Sequence, residues 1–278
     1  DHLMKPAAFD YVRPDSVDEA LEVLAASGDE ARVLAGGQSL TAMLNMRLAN
    51  PSVLIDIARI QDLKNISLVD GMIEVGAAVT QAALLAWPDL VKHQPLLAQI
   101  LPNVGHYQTR QRGTVCGSLA HAEPSAELPL ALATLQGEVV VQGKRGRRVL
   151  SAADFQTGMM TTDVAADEMI TACRFPVADA QSRSLFHEVS QRHGDFALVA
   201  LAAVSTAQGV RLGVGGVAEI PRIVDLPLLQ GEAVEATLND LAWELDGVDD
   251  PHASARYRRE LVRRIGKKII NEVSHATS

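Results

Sequence analysis

The sequence predicts an α+β fold built in successive pieces. A small α/β unit over residues 4–58 leads into a larger mixed sheet with helices over 59–178. A C-terminal domain over 179–278 follows, with a three-stranded antiparallel sheet and helices. Three observations carry this. Strand-like and helix-like runs alternate early in the chain, around a paired-glycine turn at Gly36-Gly37. Residues 177–184 are small and polar without period, the composition of a boundary. Beyond them three strand-like runs stand close together with turn signals between, and helical runs close the chain.

In order, Ser16-Val17-Asp18-Glu19 is a capping box, and the apolar Ala20, Leu21, Leu24 and Ala25 continue its helix to Gly28. A short strand over 33–35 stops at Gly36-Gly37, and Leu40, Met43, Leu44 and Leu48 resume at helical spacing. Pro51 breaks that helix and 53–57 is a strand. Paired glycines let a backbone approach a ligand closely, and a helix start offers free N–H groups to a phosphate. Ser39 reads equally as helix cap or phosphate donor, and an ordinary Gly-rich connection fits the same residues.

The second piece opens with a strand over 72–75. A helix capped by Thr80 and another over 96–101 follow. Residues 104–129 show little period in their first half and read as a long ordered loop, a form that in a domain usually carries function. A helix over 129–135, strands over 138–142 and 148–150, a short helix capped by Ser151 and a strand over 168–175 complete it. The C-terminal strands are expected over 185–191, 198–206 and 210–217, and the helices over 232–243 and 254–273. Tyr257, Leu261, Val262, Ile265, Ile269 and Val273 form the apolar face of the last one. Gly213-x-Gly215-x-x-Ala218 matches a dinucleotide fingerprint, but Pro221 forbids the helix that fingerprint requires, so it reads as a Gly-rich strand end.

The totals exclude several function classes. With 278 residues, 47% apolar and 21% charged, the chain can bury ordinary cores. A net charge of −9 argues against nucleic acid, which requires a basic face. No apolar run approaches the ~18 residues of a membrane span, and no signal-peptide pattern is present; Met4 reads as the natural start. Cys116 and Cys173 lie far apart in no ligand spacing, so no iron–sulfur cluster, structural zinc or disulfide framework is expected in this chain. A reducing cytoplasmic setting follows.

Residues 35–40 and 47–57, residues 113–124 with Glu127, and the run 187–197 together resemble the FAD-binding middle subunit of molybdenum hydroxylases, the xanthine dehydrogenase and carbon monoxide dehydrogenase family. The first motif there is Ala-Gly-Gly-x-Ser-Leu followed by Arg-Leu-Ala-x-Pro-x-x-Leu-Ile-Asp-Ile. The second is Gly-Thr-Ile-Gly-Gly-x-Leu-Ala-His-Ala-Asp-Pro with a later acid. The tail, residues 252–258, looks similar too, so the likeness spans nearly the whole chain from Met4. Three residues depart from the pattern: Cys116 stands for a Gly, Glu123 for an Asp, and Glu127 for the later Asp.

The resemblance implies an oxidoreductase subunit that carries FAD. The first motif, with Leu34, Ala35, Gly36, Gly37, Gln38, Ser39 and Leu40, would wrap the pyrophosphate, and its Gly turn suits an anion nest. Thr114, Val115, Cys116, Gly117, Ser118 and His121 would complete the pyrophosphate and ribityl contacts, with Glu127 accepting from ribityl hydroxyls. Val104 and Gly105 would lie on the adenine side. Ile170 and Phe186 would flank the flavin ring, although single apolar residues on strands equally read as core. Arg110 and Arg112 read either as phosphate contacts or as solvated cations. The implied partners are a large molybdenum-cofactor subunit and a small subunit with [2Fe–2S] clusters, in a dimer of heterotrimers. The flavin would take electrons from those clusters and pass them to an external acceptor. Two other readings remain: a stand-alone flavin-dependent oxidoreductase, and a non-catalytic assembly subunit that has lost FAD.

Overall fold

In the computed structural model, residues 10–35, 52–227, 231–245 and 249–275 are described. Gly36, Gly37, Gln38, Ser39 and Leu40, and the helix expected after them, lie outside these residues.

The first unit holds strand β1 (Asp10–Val12), helix α1 (Val17–Ser27), and strands β2 (Ala31–Leu34) and β3 (Val53–Asp56). The strands form a parallel sheet in the order β1-β3-β2. Ser16 Oγ accepts the Glu19 N–H (3.1 Å), while the Glu19 carboxylate accepts from Asp15 N–H (3.0 Å), one residue earlier than a capping box places it. Asp56, buried at the end of β3, accepts from the Tyr11 hydroxyl and from Ala58 N–H (3.0 Å), and pairs with Arg13 (3.5 Å). One carboxylate thus ties β1 to β3 and fixes the end of the sheet.

The second unit begins with β4 (Ile66–Val69) and β5 (Met72–Gly76). Six short helices follow: α2 (Gln81–Leu85), α3 (Leu90–His93), α4 (Pro95–Ile100), α5 (Tyr107–Arg112), α6 (Val115–His121) and α7 (Glu127–Thr134). Then come β6 (Glu138–Gly143), β7 (Gly146–Ser151), α8 (Ala152–Phe155), β8 (Gln156–Gly158), β9 (Thr161–Thr162) and β10 (Glu168–Pro176). The main sheet runs β4-β5-β10-β6-β7, and every pair in it is antiparallel. The mixing expected within this sheet is found between sheets instead, parallel in the first unit and antiparallel in the second. The stretch read as a long loop is mostly helical. Helices α5 and α6 have six and seven residues, too few turns to show a period, and each starts at a polar cap, His106 or Thr114.

The third unit is a four-stranded antiparallel meander, β11 (Ser184–Val189), β12 (Val199–Ser205), β13 (Gly209–Gly215) and β14 (Arg222–Pro227), packed against α9 (Glu232–Glu244) and α10 (Ala255–His275). The three strands expected here become four. Strand β14 lies between Pro221 and Pro227, which masked it in the sequence; it is the edge strand, where proline is tolerated. Gly213 and Gly215 lie on β13, as their reading as a strand end requires. A Cβ at Gly213 would overlap Thr134 Oγ1, so this glycine lets α7 pack on the sheet. One helical face also differs: Tyr257 is exposed and Arg258 takes the inward position, because its guanidinium finds carbonyl and carboxylate partners there.

The first two units share one apolar core, and β11–β14 with α9 and α10 build a second. Strand β12 contributes to both.

Candidate functional site

A cleft of about 1210 Å³ opens where the three units meet. That exceeds the roughly 300–1,000 Å³ of ordinary ligand pockets and leaves room for a dinucleotide. Of the residues singled out from the sequence, Leu34, Ala35, Val104, Gly105, Thr114, Cys116, Gly117, Ser118, His121, Glu127 and Ile170 border it. They come from the end of β2, the approach to α5, helix α6, the start of α7 and strand β10, and are brought together from positions up to 136 residues apart (170 − 34). Val115 and Phe186 do not border it. The Val115 side chain is fully buried and its N–H is spent on Val79 O (3.2 Å). Phe186 packs against the main core, its N–H donated to Gln99 Oε1 (3.0 Å).

Each wall is locally determined. Thr114 caps α6 by accepting the Gly117 N–H on its hydroxyl (2.9 Å), and its carbonyl accepts from Gln81 Nε2 (3.2 Å). Cys116 turns its thiol away from the cleft, to Val75 O (3.6 Å) and against Cys173 on β10. The thiol therefore fills core space beneath the helix and leaves the cleft side clear. Arg110 is part-buried: its Nη1 reaches the carbonyls of Pro102, Val104 and Gly105 (3.2 Å each) and pins that wall. Arg112 is exposed. Helix α6 ends at Ala122 in the left-handed region (φ 53°), a strained position for a residue with a Cβ. It is held by Met160 N–H (2.9 Å) and Gln156 Nε2 (3.1 Å) on its carbonyl. Ile170 sits at a register shift in the β10–β6 ladder, and such bulges re-aim a side chain.

Buried acids around Glu127 are shifted toward the protonated form. Burial, then the neighbouring Glu188 on β11, pushes the Glu127 carboxyl up to about 9, and the two carboxyls are hydrogen-bonded. Burial also raises Glu188, opposed by that bond, and raises Glu123, opposed by the Ser125 N–H on its carboxylate (2.7 Å). Burial lowers His121, which favours the neutral imidazole. The wall is therefore close to neutral where Glu127 and His121 face the cleft.

Other bordering residues belong to stretches that carried the resemblance, 187–197 and 252–258, or lie next to them, but were not singled out as site residues. Gln191, Gly194, Asp195 and Phe196 come from the hairpin between β11 and β12, Asp250 and His252 from the approach to α10, and Arg258 from its first turn. The Gly194-Asp195 turn just before an aromatic was the available signal for the hairpin. Among the described residues no cluster of His, Cys, Asp or Glu could hold a metal ion, and no helix is long and apolar enough to cross a membrane.

Comparison with known proteins agrees with this geometry. A family profile described as the FAD binding domain in molybdopterin dehydrogenase matches residues 7–178. The nicotine 6-hydroxylase medium subunit of Paenarthrobacter nicotinovorans is 37% identical, over 99% of this chain and 100% of its own length. Among solved structures, carbon monoxide dehydrogenase from Hydrogenophaga pseudoflava superposes with a TM-score of 0.93 at 28% identity, covering 99% of this chain and 100% of the matched one. Quinoline 2-oxidoreductase from Pseudomonas putida 86 superposes at 0.91 with 34% identity and 99% coverage of both. The chain is an oxidoreductase subunit of the family of FAD-binding medium subunits of molybdenum hydroxylases.

Proposed function

We propose that FAD lies in the cleft between the three units, and that residues 4–178 form the FAD-binding domain with 179–278 as a separate C-terminal domain. The observation that supports this is convergence: residues of both sequence motifs, together with Ile170, border one cleft of about 1210 Å³. The donor set fits the cofactor. The Gly-rich first motif and the residues at the start of α6 offer backbone and hydroxyl groups suited to a pyrophosphate. Protonated Glu127 and neutral His121 face the ligand without adding fixed negative charge, so a dianionic pyrophosphate is not repelled. Glu127 can donate and accept toward ribityl hydroxyls. Ile170 and the exposed ring of Phe196 offer apolar faces to a planar ring system.

When bound, FAD would supply the redox chemistry, taking electrons from [2Fe–2S] clusters of a small partner subunit and passing them to an external acceptor. This chain binds the cofactor, sets its orientation and shields it from water. A large partner subunit would hold the molybdenum cofactor and the substrate. We place the complex in the cytoplasm as a dimer of heterotrimers. Rapid mixing of the native complex with its reducing substrate tests this. Bleaching of the flavin band that follows cluster reduction is expected. Clusters that reduce while the flavin stays oxidised, or a chain that purifies alone as an active enzyme, would overturn it.

A further inference from the structure

The cleft wall on the C-terminal side is the loop between β11 and β12, which carries Phe196 with 62% of its surface exposed. The loop's own backbone bonds are at its turn, Asp195 N–H to Arg192 O (3.1 Å), and at its base, Leu198 N–H to Val189 O (2.7 Å). Ala197 and Leu198 at its end pack into the two cores, and two further groups outside the hairpin hold it. On one side Gly194 (φ 90°) packs so closely on the His106 ring that a Cβ would overlap the imidazole. On the other is Arg258, whose side chain is nearly fully buried. Its Nε donates to Leu198 O (3.2 Å), two residues from Phe196, its Nη1 to Ala253 O (3.0 Å), and its Nη2 to Asp250 Oδ2 (2.9 Å). Asp250 is itself fixed, with Oδ1 accepting from the N–H groups of His252 (2.8 Å) and Ala253 (3.1 Å). Only a planar fork reaches three acceptors in different directions, and its burial requires that they all be present.

We propose that Arg258, oriented by Asp250, is a positioning residue for the bound cofactor: it fixes the base of the β11–β12 loop so that Phe196 covers the cleft. This rests on the reading that FAD occupies the cleft, and it gives the C-terminal domain a role in shielding a cofactor held mainly by the other two units. Covering excludes water and small solutes from the reacting face, which is the use of such elements at redox sites.

The test uses the full chain loaded with FAD and reads iodide quenching of bound-flavin fluorescence. Arg258→Met and Asp250→Asn should both raise the quenching constant several-fold while retaining FAD. Neither should raise it further in a Phe196→Ala background, where the cover is already gone. If Arg258→Met fails to fold, Asp250→Asn decides, since it keeps the side chain's volume and removes its charge. Quenching unchanged in an FAD-loaded Asp250→Asn chain would overturn the proposal, as would an equal rise in the Phe196→Ala background. Loss of FAD from Asp250→Asn would also overturn it, since the pair would then hold the cleft and not the cover. A wild-type chain that never takes up FAD defeats the earlier reading instead.

Discussion

Glu127 and Glu188 meet carboxyl to carboxyl where the start of α7 faces β11, and the hydrogen bond between them requires a shared proton. The folded chain therefore holds a proton that the unfolded chain releases. With Glu127 at about 9 in the fold against 4.5 as its ordinary value, the contribution is complete below pH 4.5 and is lost as the pH rises toward 9. Stability should fall across that window, with a limiting slope of about 1.4 kcal/mol per pH unit for one proton. Glu127→Gln keeps the hydrogen bond without the titration. Its thermal midpoint should vary less between pH 5.5 and pH 8.5 than the wild type's, on the scale of that slope. Parallel curves for the two proteins would contradict the shared proton.

Cys116 fills core volume between Val75 and Cys173. Cys116→Gly restores the residue of the family motif but leaves a void and a glycine inside α6. The expected loss is about 2–3 kcal/mol, about 1 from helix propensity and the rest from the cavity. Urea unfolding measures it. FAD uptake should persist in this variant, since the thiol points away from the cleft.

Gly213 lets α7 approach β13, and Thr134 Oγ1, against which a Cβ would press, is buried without a hydrogen-bond partner among the described residues. Gly213→Ala should destabilise by about 1–3 kcal/mol through overpacking. Adding Thr134→Ala should recover part of that loss, an interaction that a double-mutant cycle in denaturant reads directly. Strict additivity would mean that the two residues do not press on each other.

Arg110 fixes the wall at Val104-Gly105 through three carbonyls, none of them a ligand group. Arg110→Ala should weaken FAD binding by roughly tenfold, or about 1.4 kcal/mol, because the wall is freed. The salt dependence of binding should stay as in the wild type, since the side chain acts through those carbonyls. Isothermal titration at two salt concentrations separates these outcomes.

Much of the fold was legible because its punctuation is local. Ser16, Thr80 and Ser151 each cap the helix expected after them, accepting the N–H of Glu19, Ala83 and Asp154. What escaped depended on partners distant in sequence. Strand β14 is recognisable only once β13 stands beside it. Arg258 reads as one more cation on a basic helix until Asp250 and Leu198 O are found around it. The cleft itself was half legible: its motif residues stand in the sequence, but nothing in the run 187–197 marks Phe196 as a cleft residue, because a loop residue's role is set by what it faces.

The central claim is that this cleft binds FAD. The most direct measurement is the flavin released by heat from the purified full chain after incubation with FAD and gel filtration, quantified against protein. About one FAD per chain is expected, bound in the cleft that both motifs border. A colourless chain that retains no FAD after incubation would contradict it.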